Sequence, residues 1–288
     1  MPVKNPTKIR PNTKWVFFKK GSCSRTFFYI LDREFGHPLE NEEQAADWLA
    51  GGILKQGYQC GMLWGASFAL GAEAFRRCGD HDQAVAMTVT ATRHVMQSFI
   101  NRTKSADCLD ITCCNFSSKA SMAKYLVTGK FWSCFKLAEK WAPEAIQSAA
   151  EGLSLEQTDP PKRPRSCASE VVRKMAGSEA EMVMASGLAG GLGLSGNGCG
   201  ALSAAIWMNT LDRIRKQGYK FSMSDPHAEK ILKAFYEATD YEIECHKITG
   251  KRFMNINEHS EFLKNGGCDQ LIKVLAENAM TGDASRVH

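Results

Sequence analysis

Cysteine is the residue most capable of metal or redox chemistry in this 288-residue sequence, which contains eleven of them. Two glycine-rich segments hold one cysteine each: residues 49–66 read LAGGILKQGYQCGMLWGA, and residues 188–205 read LAGGLGLSGNGCGALSAA. Both segments begin with LAGG, and both place a cysteine eight residues after the second glycine. A recurrence of this length and spacing indicates an internal duplication of the chain.

Six further cysteines fall into register when the match is extended in both directions. The paired cysteines are separated by 144, 139, 137 and 134 residues in chain order, a steady decrease that short deletions in the second copy would produce. Eight of the eleven cysteines therefore follow one rule, with four per repeat in the same order. They are Cys23, Cys60, Cys108 and Cys134 in the first repeat, and Cys167, Cys199, Cys245 and Cys268 in the second.

Four matched cysteines per repeat favour a metal–sulfur or redox site. Four thiolates that converge from separate helices suit an iron–sulfur cluster with four cysteine ligands. The same set of four thiolates also suits structural zinc, and buried thiols without metal are the third interpretation. At the beginning of a helix, free N–H groups and the helix dipole are expected to lower the pKa of a thiol. The cysteines near predicted helix beginnings are Cys23, Cys60, Cys134, Cys167, Cys199 and Cys268.

The pattern of the two repeats resembles the C_GCAxxG_C_C family of redox proteins, which includes the cluster-binding part of split-Soret cytochrome c. The resemblance covers residues 21–148 and 165–281. Residues 198–201 of the second repeat read Gly-Cys-Gly-Ala and are similar to the GCAxxG core of the family. In the first repeat, Gln59 replaces the first glycine of that core. The resemblance implies an iron–sulfur or related redox centre, of [2Fe–2S] or [4Fe–4S] type. Haem is not expected, because the sequence contains no C-x-x-C-H motif.

Helices are the elements predicted to position the cysteines, because apolar residues recur at helical spacing and no convincing alternating strand pattern is present. One such helix is predicted to begin near Asn41, with Ala45, Trp48, Leu49 and Ile53 on its apolar face. We therefore expect an all-α fold in which two homologous helical repeats form a pseudo-dimer. The predicted domains are a basic N-terminal arm (1–20), the first four-cysteine repeat (21–150), a linker (151–164) and the second four-cysteine repeat (165–282).

Net charge and hydropathy limit the functional classes. A formal net charge of +5 is too small to indicate nucleic-acid binding by bulk charge. Residues 182–211 carry no charge and are long enough to span a bilayer, but the predicted turn at residues 193–198 favours two buried helices rather than a membrane span. The sequence begins without an apolar signal segment. Eleven cysteines in a chain without such a segment indicate a reducing compartment, which we expect to be the cytoplasm.

The N-terminal arm is basic. Its end contains Trp15, Phe17 and Phe18, which indicate that this part packs on the rest of the protein. We interpret the arm as a solvated tail, with docking to an acidic partner as the alternative. Its cations, which precede the first acidic residue of the chain, are Lys4, Lys8, Arg10, Lys14, Lys19 and Lys20.

The unpaired cysteines and one histidine are assigned smaller roles. Cys78 is interpreted as a structural thiol at a helix end. Cys113 and Cys114 have no counterpart in the second repeat, and they could supply an alternative ligand or a resolving thiol. His246 follows the third cysteine of the second repeat, and we interpret it as a surface histidine rather than as a ligand.

The function predicted from these observations is electron transfer to or from a partner oxidoreductase or electron carrier, with four cysteine ligands per repeat. The two sets of cysteines would hold one cluster each or pool into one larger, bridged metal–sulfur centre. The alternatives are a metal-free thiol/disulfide oxidoreductase, which would lack the usual C-x-x-C motif, and a zinc-stabilised interaction scaffold. The sequence identifies neither the partner nor a substrate, and it leaves open whether the chain forms a homodimer.

Overall fold

The computed structural model describes residues 12–155, 162 and 164–280. Within these residues the chain forms fifteen α-helices and one short 3-10 helix, and the only β-type pairing is two isolated bridges. The predicted all-α class is confirmed. In the same part of the chain, no helix is both long enough and apolar enough to cross a membrane.

The first repeat contains seven helices preceded by a short N-terminal helix. A 3-10 helix at Ala46–Leu49 directly follows the third helix. In chain order the α-helices are α1 (Thr13–Lys20), α2 (Cys23–Phe35), α3 (Glu40–Ala45), α4 (Gly61–Arg77), α5 (His81–Thr103), α6 (Cys108–Thr112), α7 (Lys119–Val127) and α8 (Phe131–Ser154).

The second repeat has the same helical order, so that α2 to α8 correspond one by one to α9 to α15. Its helices are α9 (Cys167–Lys174), α10 (Glu179–Ser186), α11 (Gly200–Gln217), α12 (Pro226–Ala238), α13 (Cys245–Thr249), α14 (Ile256–Lys264) and α15 (Asp269–Met280).

Equivalent side chains begin the corresponding helices. The hydroxyl of Ser22 accepts a hydrogen bond from the backbone N–H of Arg25 at the start of α2, and Ser166 does the same for Ser169 at the start of α9. These N-caps satisfy N–H groups that have no partner inside the helix. Each cap therefore fixes the residue at which a cysteine-bearing helix begins.

The two repeats pack against each other reciprocally. The α3 helix of the first repeat packs on α11 of the second, and α10 of the second packs on α4 of the first. The rings of Phe68 on α4 and Trp207 on α11 stack with their centroids 4.4 Å apart. Buried side chains of both repeats consequently form one continuous hydrophobic core.

Small residues allow the central helices to approach closely. A Cβ added to Gly65 of α4 would overlap the backbone oxygen of Ser24 on α2, and one added to Gly71 would lie 2.5 Å from the Cα of Met184 on α10. The position equivalent to Gly65 in the second repeat is Ala204, which is fully buried. The α4 helix thus approaches one helix of each repeat at backbone distance.

The ends of the chain and the linker are described only in part. The α1 helix forms the end of the basic arm, and the ring of Phe17 stacks on Phe135 of α8 at 4.4 Å. Lys4, Lys8 and Arg10 lie outside the described residues, as does half of the predicted linker. The α8 helix continues to Ser154, into the first residues of that linker.

One predicted helix ends earlier than its pattern indicated. The helix expected to include Ile53 ends with the 3-10 turn at Leu49, because the backbone turns left-handed at Gly51. The uncharged stretch from Met182 to Leu211 forms parts of α10 and α11 with a turn between them, as expected.

Candidate functional site

All eight paired cysteines lie at or near the beginning of a helix. In both repeats the first and third cysteines are the first residues of their helices, and the second cysteine is an N-cap. The fourth cysteine lies in the first turn of α8 or directly before α15. In this order the residues are Cys23, Cys108, Cys60 and Cys134, and then Cys167, Cys245, Cys199 and Cys268.

The four thiols of the first repeat lie together. The side chains of Cys23 and Cys60 are hydrogen-bonded to each other. Burial raises the pKa of Cys108, and the charges of Cys23 and Cys134 raise it further. The hydroxyl of Tyr125 lies 3.1 Å from Cys134 Sγ. The first set is therefore one cluster of interacting thiols.

The four thiols of the second repeat are gathered in the same way. Burial raises the pKa of Cys245, and the charges of Cys167, Cys199 and Cys268 raise it further. Burial also raises the pKa of Cys199 to about 12, with Cys167 as the next contributor. The structure thus brings together each of the two sets that the sequence predicts.

The thiol pKa values differ from the expectation for helix beginnings. Among the eight paired cysteines, only Cys23 has a lowered pKa. Its hydrogen bond with Cys60 lowers the pKa most, and backbone N–H groups lower it further. Burial acts in the opposite direction. For Cys134, burial is the largest effect and raises the pKa to about 11. The expectation that helix beginnings favour the thiolate was made for six of the eight cysteines, and it is wrong for all of those six except Cys23. The removal of water outweighs the backbone N–H groups.

Equivalent backbone N–H groups point at the first thiol of each set. The N–H groups of Gly51 and Ser24 donate to Cys23, and those of Gly190 and Ala168 donate to Cys167. Gly51 and Gly190 are the first glycines of the two LAGG segments. The repeated glycine-rich segment thus supplies a hydrogen-bond donor to a cysteine that lies earlier in the chain.

The LAGG segments adopt left-handed backbone conformations. Residues 51–55 and 190–194 all have positive φ, including β-branched Ile53 at 57°. Left-handed non-glycine residues are strained and are found mainly where the surrounding structure requires them. Equivalent backbone hydrogen bonds hold both segments: Leu54 N–H donates to Trp48 O at 2.7 Å, and Gly193 N–H donates to Gly187 O at 2.8 Å. Sequence analysis missed this feature, although the shared LAGG was a signal for it.

A backbone bridge holds the third cysteine beside the second in each repeat. The N–H of Cys108 donates to Tyr58 O at 2.7 Å, and the N–H of Cys245 donates to Asn197 O at 2.6 Å. Isolated antiparallel bridges at Gln59–Asp107 and Gly198–Glu244 accompany these bonds. The segment before each second cysteine therefore also positions the third.

One contact between the repeats lies next to both sets of cysteines. Gln59 precedes Cys60 and is fully buried, and its Nε2 donates to Gly191 O at 3.4 Å. A Cβ added to Gly198, which precedes Cys199, would overlap Gln59 Oε1. The residues that precede the two central cysteines thus meet each other across the repeats.

The unpaired cysteines occupy different environments. Burial raises the pKa of Cys78 and is the largest effect on it. No other cysteine contributes to that shift. Cys113 is exposed with a φ of 50° at the end of α6, where the second repeat has Gly250. Cys114 is buried, and its charge contributes to the raised pKa values of Cys108 and Cys134. Cys114 is therefore a fifth thiol beside the first set, which sequence analysis had proposed only as an alternative.

His246 is held by the backbone of the glycine-rich segment. Its Nδ1 lies 2.8 Å from Gly196 O, and it also lies near a carboxylate oxygen of Glu244. These contacts agree with the interpretation that His246 is not a ligand.

Over the described ranges, no group of three or more histidine, cysteine, aspartate or glutamate side chains is close enough to hold a metal ion. In an iron–sulfur cluster, the four thiolates bind different iron ions and surround a larger object than one ion. The assignment of the eight cysteines as ligands stays a prediction.

Comparison with known proteins bears on both repeats. The family model described as "Putative redox-active protein (C_GCAxxG_C_C)" matches residues 22–147 and 165–281. The two matches coincide with the two helical repeats, so the tandem duplication is confirmed. No curated protein and no solved structure matches the chain.

Proposed function

Because this chain belongs to the C_GCAxxG_C_C family of redox-active proteins, we propose that it is an iron–sulfur protein in which each set of four cysteines holds one cluster. The clusters would pass electrons to or from a partner oxidoreductase. The family description itself supports a redox role in general. A reducing, cytoplasmic setting is part of the same proposal.

The observation that carries this proposal is that both repeats gather four buried or half-buried thiols. Four thiolates repel one another in a buried site unless protons or cations neutralise them. Iron displaces the thiol protons when it binds, and so the raised pKa values describe the metal-free thiols and do not oppose ligation. When bound, the cluster would supply one-electron redox chemistry, and the N–H groups of Gly51 and Gly190 would donate hydrogen bonds to its cysteine sulfurs.

A structural zinc ion needs four ligands around a single ion, and zinc has no redox chemistry. The four thiolates of an iron–sulfur cluster bind different iron ions, and such a cluster transfers electrons. The redox-active description of the family therefore favours the cluster over zinc.

The Cys23–Cys60 hydrogen bond supports a second candidate, metal-free thiol/disulfide exchange. The Cys23 thiolate would attack a disulfide of a partner, form a mixed disulfide and release one partner thiolate. The thiolate of Cys60 would then displace the second partner sulfur. The products would be a Cys23–Cys60 disulfide and a partner dithiol, reduced by the two electrons that the cysteine pair loses.

Metal analysis of protein purified without oxygen distinguishes these functions. Iron with matching acid-labile sulfide, and visible absorption that dithionite bleaches, is the result expected for clusters. Zinc without sulfide would support the scaffold instead. A colourless protein without metal, in which Cys23 and Cys60 oxidise reversibly, would support thiol/disulfide exchange.

Substitution of one central cysteine tests the assignment of the two sets. We expect Cys199→Ser to lose about half of the iron, because one of the two clusters loses a ligand and the other keeps all four. Cys78→Ser is the matched control, since no other thiol contributes to the pKa shift of Cys78. Iron content that is unchanged in Cys199→Ser would count against the assignment.

A further inference from the structure

The first set of cysteines opens into a cavity of about 600 Å³. All four thiols of that set are part of its wall, together with residues of both repeats. Cavities of roughly 300 to 1,000 Å³ are the usual size of small-molecule sites. The thiols thus share a space that is large enough for an organic molecule.

The second repeat forms one side of this cavity with a segment that the first repeat lacks. Helices α4 and α5 are joined by only three residues, 78–80, whereas the equivalent helices α11 and α12 are joined by residues 218–225. Every residue of this longer segment lines the cavity. We call it the roof segment.

Two contacts attach the roof segment to the first repeat. The hydroxyl of Tyr219 donates a hydrogen bond to Asp47, and the guanidinium of Arg25 lies 4.5 Å from the centre of the Tyr219 ring. Lys55 Nζ donates to the backbone oxygen of Met223 at 2.7 Å. Both ends of the segment are therefore fixed across the cavity.

Aromatic side chains form much of the cavity wall. Such walls favour planar, apolar molecules, because ring faces stack and exclude water. The aromatic residues among them include Phe17, Trp48, Phe116, Phe131, Phe135 and Phe221.

The charges that face the cavity favour an anion. Its two carboxylates are already paired with arginines, since Asp47 pairs with Arg25 and Asp225 with Arg213. Lys55 also lines the cavity, and its Nζ donates to a neutral backbone oxygen. Lys220 lines the cavity as well, and none of the described ion pairs neutralises it. Two lysine charges therefore remain available to a ligand.

We infer that this cavity binds a small aromatic molecule that carries a carboxylate or a similar anionic group. The ring would lie against the aromatic wall, and the anion would lie near Lys55 and Lys220. Binding of this molecule does not depend on iron.

Isothermal titration with two matched probes tests the inference. We expect 2-naphthoate to bind to the full-length protein at one molecule per chain, and 2-naphthalenemethanol, which has the same ring without the charge, to bind more weakly. In Lys220→Gln, which leaves the contact of Lys55 with Met223 in place, naphthoate affinity should fall about threefold through the loss of one charge, while the affinity for the alcohol stays unchanged. The control Lys273→Gln changes a lysine of α15 and should leave both affinities unchanged.

A second variant removes the roof segment. Replacement of residues 219–224 by Gly-Gly should abolish binding of both probes and leave the far-ultraviolet circular dichroism spectrum unchanged. Two results would overturn the inference. One is that naphthoate does not bind to folded wild-type protein. The other is that it binds equally well to the lysine variant and to the variant without residues 219–224.

The metal analysis keeps this test separate from that of the proposed function. Iron in protein that does not bind naphthoate would overturn the cavity inference alone. Naphthoate binding by folded protein that never contains iron would support the cavity and overturn the cluster.

Discussion

Cys23 differs from the other paired cysteines in the surroundings of its sulfur atom. Like Cys167, it receives N–H groups from the glycine-rich segment, but it is also hydrogen-bonded to Cys60, and a Cβ added to Gly61 would lie 2.5 Å from its Sγ. Among the paired cysteines it is the one whose pKa is lowered. In a metal-free chain, Cys23 is thus the paired cysteine in which the thiolate, the nucleophilic form, is most favoured.

A buried carboxyl outside the cysteine sets makes stability depend on pH. Asp32 is 2% exposed, and burial raises its pKa to about 7 against the opposing effects of the Leu39 N–H group and Arg33. The folded-state pKa lies above the unfolded value of about 3.9. The stabilising effect of the bound proton is therefore complete below pH 4 and is lost as the pH rises to 7.

We expect Asp32→Asn to raise the free energy of unfolding at pH 8 by about 1–3 kcal/mol, because a buried charge is removed. The amide oxygen of asparagine can still accept the hydrogen bond from Leu39 N–H, which Asp32 accepts at 3.1 Å. Urea unfolding at pH 5 and pH 8 measures the effect, with the exposed Asp212→Asn as control. An equal gain at both pH values would contradict this explanation.

At the scale of single elements, the glycine after each central cysteine allows its helix to begin against the LAGG segment. A Cβ added to Gly200 at the start of α11 would overlap the backbone oxygen of Leu188. We expect Gly200→Ala to lower the free energy of unfolding by about 1–3 kcal/mol, because backbone cannot move aside as a flexible side chain can. Thermal or urea unfolding measures the loss.

Gly79 provides the control for this substitution. It lies in the turn between α4 and α5, a Cβ added there would meet nothing within 4 Å, and its φ is not in the left-handed region. Gly79→Ala should leave the stability nearly unchanged. If the two substitutions have equal effects, the close approach of Gly200 to Leu188 does not explain the loss.

Helix beginnings could be predicted from the sequence because their signals are local. Cys23 follows a capping serine, and α12 begins at Pro226 after the capping side chain of Asp225. The end of the helix before Ile53 could not be predicted in the same way. The apolar spacing continues through Ile53, whereas the sign of φ there depends on contacts with residues elsewhere in the chain.

The candidate site was predictable only in part. The duplication identified which eight cysteines belong together, because matched sequence contexts carry that information. Their distances and the dominance of burial over the helix N–H groups depend on tertiary packing. The roof segment is visible as extra residues between α11 and α12, but its position over the first repeat is not encoded locally.

At the scale of the whole molecule, the shared core should make the repeats unfold together. Trp207 is fully buried, stacks on Phe68 of the other repeat and donates from Nε1 to Glu42 O at 3.1 Å. We expect Trp207→Ala to cost about 3–5 kcal/mol, through lost burial and the cavity that it leaves. Urea unfolding followed by circular dichroism and by tryptophan fluorescence should show one coincident transition.

Trp132→Ala is the control, because Trp132 is 52% exposed. It should change the stability by less than about 1 kcal/mol. Two separate transitions in the wild-type protein would show that each repeat folds as its own unit, and would contradict the single core.

The left-handed segments give each repeat a short stretch of backbone whose screw sense is opposite to that of the helices around it. In an L-amino acid at such φ values, the Cβ crowds the following carbonyl oxygen, and the mirror-image D-amino acid avoids that contact. Glycine is achiral and is the only genetically encoded residue without this preference. In a chain assembled by chemical ligation, D-leucine at position 54 or 194 would relieve the backbone strain that its natural enantiomer sustains there.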